Sequence, residues 1–88
     1  MDDTTLRELT LKTLREIVGE VDEKTLEIKF FQQFKDKVDI YGKFENEKGF
    51  YEFALSFDEK GKAKRKNVNM IMPKDIKDEI EKKTKVNG

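Results

Sequence analysis

Val38-Asp39-Ile40-Tyr41-Gly42-Lys43-Phe44-Glu45 alternates apolar and polar positions without a break, and Tyr51-Glu52-Phe53-Ala54-Leu55-Ser56-Phe57 does so again. Between them Asn46-Glu47-Lys48-Gly49 carries turn-forming residue types. Alternation with period two marks a strand buried on one face, and a short turn between two such strands makes them antiparallel. A four-residue turn pairs Glu45 with Phe50, and hence Gly42 with Phe53 and Lys43 with Glu52.

Upstream of this hairpin, Leu26, Ile28, Phe30 and Phe34 alternate with Glu27, Lys29 and Lys35, with Gln32 interrupting the apolar side. A three-residue turn at Lys35-Asp36-Lys37 sets Phe34 opposite Val38, Phe30 opposite Gly42 and Phe31 opposite Tyr41. The rings of Phe30 and Phe53 then cover the missing side chain of Gly42. Downstream, Asp58-Glu59-Lys60-Gly61 supplies another turn, and a fourth strand runs roughly from Lys62 to Met72. Val68, Met70 and Met72 suit its packed half. Lys64 and Lys66 make its first half an exposed edge or a projecting hairpin arm.

Both ends of the chain read as helix. Thr5-Leu6-Arg7-Glu8 has the form of a capping box, and Leu6, Leu9, Leu14, Ile17, Val18 and Val21 share one helical face. Gly19 suits the helix end, with Asp22-Glu23-Lys24 as the following turn. Pro73 suits the first residue of a short C-terminal helix, with Asp75, Asp78 and Glu79 early and Lys82, Lys83 and Lys85 late, as the helix dipole favours. Ile76, Ile80 and Val86 are its apolar positions. The expectation is one small α+β domain spanning residues 1–88: an N-terminal helix packed on a four-stranded antiparallel meander, with a short C-terminal helix, in the order α-β-β-β-β-α. That architecture resembles the helix-plus-meander shape of cystatin-like and PepSY-like domains, a resemblance that implies no function.

Composition excludes much chemistry. The 88 residues contain no Cys, His or Trp, so disulfides, thiolate nucleophiles, imidazole bases and the usual zinc ligands are absent. No apolar run is long enough for a membrane span or a signal-peptide core. Adjacent carboxylates (Asp2/Asp3, Asp22/Glu23, Asp58/Glu59, Asp78/Glu79) fall at a terminus, in turns or on a helix surface, without a partner base. No Gly-rich phosphate loop and no EF-hand spacing occurs. The expectation is therefore a protein that is not an enzyme and binds no metal and no small-molecule cofactor. Lack of cysteine suits a cytoplasmic setting.

Two features point to partners. Phe31, Tyr41, Phe50 and Ile71 fall on the sheet face opposite the core, where an aromatic patch rimmed by charge suits a protein partner or self-association. An open strand edge would serve the same end. The alternative is nucleic-acid binding: Lys60, Lys62, Lys64, Arg65 and Lys66 place five cations in seven residues, although 19 basic and 19 acidic residues leave the whole chain neutral. Further on, Asn67–Ile80 resembles the strand and first helix of ribbon-helix-helix DNA-binding proteins, and more faintly the strand-Pro-Lys-helix stretch of AbrB-like proteins. The ribbon-helix-helix pattern calls for a second helix, and no functional residue is carried over.

Overall fold

The computed structural model describes residues 2–76 and 79–80. Helix α1 (Asp3–Val18) is followed by strands β1 (Asp22–Gln33), β2 (Lys37–Glu45), β3 (Gly49–Asp58) and β4 (Ala63–Pro73). A short helical piece follows at residues 74–76 and 79–80. The strands form one antiparallel sheet in the spatial order β1-β2-β3-β4. The expected α-β-β-β-β-α order is the observed one.

Helix α1 begins earlier than the capping box at Thr5 implies. Asp2 is the N-cap, and its side-chain oxygen accepts the Thr5 amide at 2.8 Å. A carboxylate there also meets the positive end of the helix dipole. At the other end Gly19 adopts φ +87°, open to glycine at little cost, and donates its amide to the Arg15 carbonyl. The buried stripe of α1 is Leu6, Thr10, Leu11, Thr13 and Leu14. The hydroxyls of Thr10 and Thr13 donate to the carbonyls of Leu6 and Leu9, so two polar residues enter the core with their hydrogen bonds made. Ile17, expected on this face, is instead exposed.

Under the helix lie Val38, Ile40 and Phe44 of β2 and Tyr51, Phe53, Leu55 and Phe57 of β3, joined by Val21 and Leu26. Phe44 stacks on Tyr51 with ring centroids 4.9 Å apart. The β2–β3 register is the expected one, with Glu45 opposite Phe50, Gly42 opposite Phe53 and Lys43 opposite Glu52. Asn46 fixes the turn: its side chain accepts from the amides of Lys48 and Gly49 and donates to the Glu20 carbonyl at 3.0 Å.

Between β1 and β2 the register departs from expectation. The Phe34 amide donates to the Lys37 carbonyl, so the turn holds two residues, Lys35 and Asp36, instead of three. Gln33 faces Val38, Phe31 faces Ile40 and Phe30 faces Tyr41. Beyond Phe30 a bulge at Lys29 brings Ile28 opposite Gly42. A one-residue slip turns side chains to the other face. Phe30 and Phe31 therefore exchange the places the alternation gave them.

Strand β4 is paired with β3 along its whole length, so its basic half is an edge strand and not a projecting arm. Irregularities at Lys64 and Ile71 interrupt its register. Ala63 and Val68 pack against the core, whereas Met70 is exposed. Met72 pairs with Phe50, on the face opposite the one expected for it. Pro73 closes β4 instead of opening the helix. Ile76 and Ile80 are exposed. The expectations for Asp78, Lys82, Lys83, Lys85 and Val86 lie outside the described residues.

Candidate interaction surface

Helix α1 covers one face of the sheet and leaves the other bare among the described residues. Because directly paired residues share a face, the bare side can be read from the register. It carries the cross-strand row Phe30–Tyr41–Ala54–Asn67, flanked by Gln32–Asp39–Ser56–Arg65 and Glu27–Lys43–Glu52–Asn69. Phe30 and Tyr41 are 55% and 45% exposed side by side, which makes them a patch. The Tyr41 hydroxyl donates to Glu52 at 3.3 Å. Phe34 lies on the same face, with the Lys37 ammonium 5.0 Å from its ring centre.

Of the four residues expected to form the aromatic patch, three keep to the bare face or its rim. Phe31 does not. It sits opposite buried Ile40 on the helix side, 49% exposed, and lines a concavity of about 270 Å³ with Asp3, Leu6, Arg7 and Ile28. Phe31 and Tyr41 are therefore not neighbours. Tyr41 takes Phe30 as its aromatic companion. Phe50 is half-buried opposite Met72, and Ile71, 56% exposed, is the extra residue of a bulge at the β4 edge. Phe30 and Phe34 were missed because the alternation assigned both to the core. A two-residue turn at Lys35-Asp36 was the signal that would have found them.

The two edges of the sheet differ. Along β1 the lower half is closed by Arg7 of the helix, which donates to the carbonyls of Glu23 and Leu26; on the inner side, toward β2, the Thr25 hydroxyl receives the Glu45 amide at 2.8 Å where the ladder is interrupted. The upper half, Phe30-Phe31-Gln32-Gln33, and Phe34 just beyond it are uncharged and exposed at every residue. Among the described residues no other element pairs with its outer side. Glu27 sits just below, its carboxylate held under the ordinary range by a hydrogen bond from Lys29 at 3.0 Å and by the charges of Lys29 and Lys43. On β4 the edge is basic and twice interrupted.

The five cations of the basic stretch do not converge. Lys60 and Lys62 lie in and after the β3–β4 turn, where their amides are held by the Asp58 carboxylate at 2.9 Å each. Lys64 reaches the same carboxylate at 3.9 Å. Arg65 pairs with Ser56 on the bare face and Lys66 with Leu55 on the helix side. Amide hydrogen bonds from Lys62 and Lys60, with the ammonium groups of Lys64 and Lys60, keep Asp58 ionised below the usual carboxylate range. One carboxylate thus organises the turn and offsets part of its charge.

A groove of about 490 Å³ along α1, lined by Leu11, Lys12, Arg15 and Glu23 among others, is wide open to solvent. Among the described residues no cluster of Asp or Glu could hold a metal ion, and no helix is long and apolar enough to cross a membrane. Comparison with protein-family models, curated proteins and solved structures finds no match. The likeness to cystatin-like and PepSY-like domains accordingly rests on element order alone.

Proposed function

We propose that this chain is a non-enzymatic protein-interaction module that works through the open upper edge of β1 and the aromatic side chains on either side of it. The observation that carries this reading is the exposure of five consecutive uncharged residues, three of them Phe, along the end of an edge strand and into the turn that follows it, in a chain that is 43% charged. Surface Phe is costly to keep in water, and an unpaired strand edge offers hydrogen-bonding groups in register for another strand. Strand addition uses both: the backbone supplies affinity and the alternating side chains supply selectivity. Phe30 and Tyr41 would contact a partner on the bare face, and Phe31 on the helix side.

The basic stretch is the weaker candidate because its cations diverge to two faces and Asp58 offsets part of their charge. The cysteine-free composition suits work in a reducing cytoplasm. Affinity capture from extracts of the source cells, with the parent chain and with Phe30→Ser, tests the reading. A bound protein that survives high salt and is lost with Phe30→Ser is expected. Binding that disappears in salt, or that ignores Phe30→Ser but fails when Lys64, Arg65 and Lys66 become Gln, would overturn it in favour of a phosphate-binding surface.

A further inference from the structure

Resting on that reading, we infer that the occupant of the β1 edge is a second copy of the same chain, paired antiparallel across a two-fold axis through Gln32 to give one continuous eight-stranded sheet. The argument is self-complementarity. On the bare face the edge and the first residue beyond it present Phe30, Gln32 and Phe34 in that order, and Phe-x-Gln-x-Phe reads the same in both directions. Antiparallel pairing about Gln32 then sets Phe30 against Phe34 of the second copy, Gln32 against Gln32, and Phe34 against Phe30. Aromatic meets aromatic and amide meets amide, and Tyr41 of each copy extends the aromatic contact.

On the helix side the same register brings Gln33 of the second copy beside Phe31. The concavity there has apolar walls from Leu6, Ile28 and Phe31 and both a donor and an acceptor in Arg7 and Asp3. A primary amide uses both.

Charge does not oppose the arrangement. The paired segment is neutral, and Lys29, which falls near Lys35 of the second copy, already has Glu27 at 3.0 Å. Lys35 has Asp36 next in sequence. An isologous contact of this kind closes after two copies. The opposite edge resists further growth, because β4 carries Lys64, Arg65 and Lys66 and bulges at Lys64 and Ile71.

Residue 32 on the axis allows a charge-swap experiment. The parent chain, Gln32→Lys and Gln32→Glu are compared by sedimentation velocity across a concentration series, with circular dichroism confirming that each is folded. The parent is expected to dimerise, and each variant alone to dissociate at least about tenfold more readily because like charges meet on the axis. An equimolar mixture of the two variants is expected to recover the dimer. A parent monomeric at every concentration overturns the inference, as does a dimer indifferent to both substitutions or a mixture that fails to recover. If the parent is monomeric while Phe30→Ser still abolishes capture of another protein, only the choice of occupant fails. If that capture is also indifferent, the functional reading falls with it.

Discussion

The carbonyl oxygen of Glu27 occupies the space into which any side chain on Gly42 would project, and the ring tip of Phe53 stands only 2.8 Å from the same point. Strand β1 thus lies against β2 through contact with bare backbone. Phe53 was expected to cover Gly42. Its other expected cover, Phe30, is turned away, and main chain takes its place. Gly42→Ala must push main chain and an almost wholly buried ring apart, at about 1–3 kcal/mol of stability. Chemical denaturation should show the loss, and amide exchange should show β1 losing protection before β3. Unchanged stability would mean that β1 can lift off β2 freely.

Phe30 and Phe53 make a paired test of the register. Phe53→Ala should cost about 3–5 kcal/mol because the ring is 1% exposed and leaves a cavity. Phe30→Ser should change monomer stability by no more than about 0.5 kcal/mol, as an exposed site does. Thermal melts of the two variants at low concentration decide it. A large loss in Phe30→Ser would restore the face assignment that simple alternation suggests.

Asn46 ties the β2–β3 turn to the segment between α1 and β1. Asn46→Ala removes three hydrogen bonds in a buried setting and leaves the Gly49 amide and the Glu20 carbonyl short of partners, at about 1–3 kcal/mol. Asn46→Asp retains the acceptor for Lys48 and Gly49 and loses only the donor to Glu20, so it should fall between parent and alanine variant. Urea midpoints of the three proteins check the order.

Asp58 links the basic turn to acidity. Its carboxyl lies below the ordinary value of 3.8 in the folded chain, so folding favours the ionised form. That contribution is fully present above 3.8 and is lost as pH falls through the lowered value. Asp58→Asn should be less stable than the parent at neutral pH, and the gap should narrow on acidification. Urea midpoints measured against pH test this; a gap that widens in acid would contradict it.

How far the sequence reveals all this depends on the turns. For β2 and β3 the alternation runs unbroken into Asn46 and Gly49, and the register follows. For β1 the alternation meets two adjacent aromatics, Phe30 and Phe31, either of which fits an inward position. Only the turn length distinguishes them, and Lys35-Asp36-Lys37 fits a turn of two residues or of three. The bulge at Lys29 then breaks the period and leaves no compositional mark. In α1 the run Asp2-Asp3-Thr4-Thr5 offers several caps within one turn. Thr10 and Thr13 look polar in a pattern and become apolar only when their hydroxyls bond back to the helix. The bare-face patch was legible through Tyr41, while its companion depended on the slipped turn.

The spatial order of the strands repeats their order along the chain, so each strand pairs with the one just before it and no crossing connection has to be threaded. The sheet can zip up hairpin by hairpin, each closure spanning a few residues at small entropic cost. Glu20, which ties the end of α1 to Asn46, and Arg7, which ties its start to β1, are the contacts that must wait. Assembly should therefore be fast for a sheet, with docking of the helix as its last step. A sheet formed before the helix docks would leave its apolar face uncovered, the condition in which a newly made chain is most exposed to aggregation.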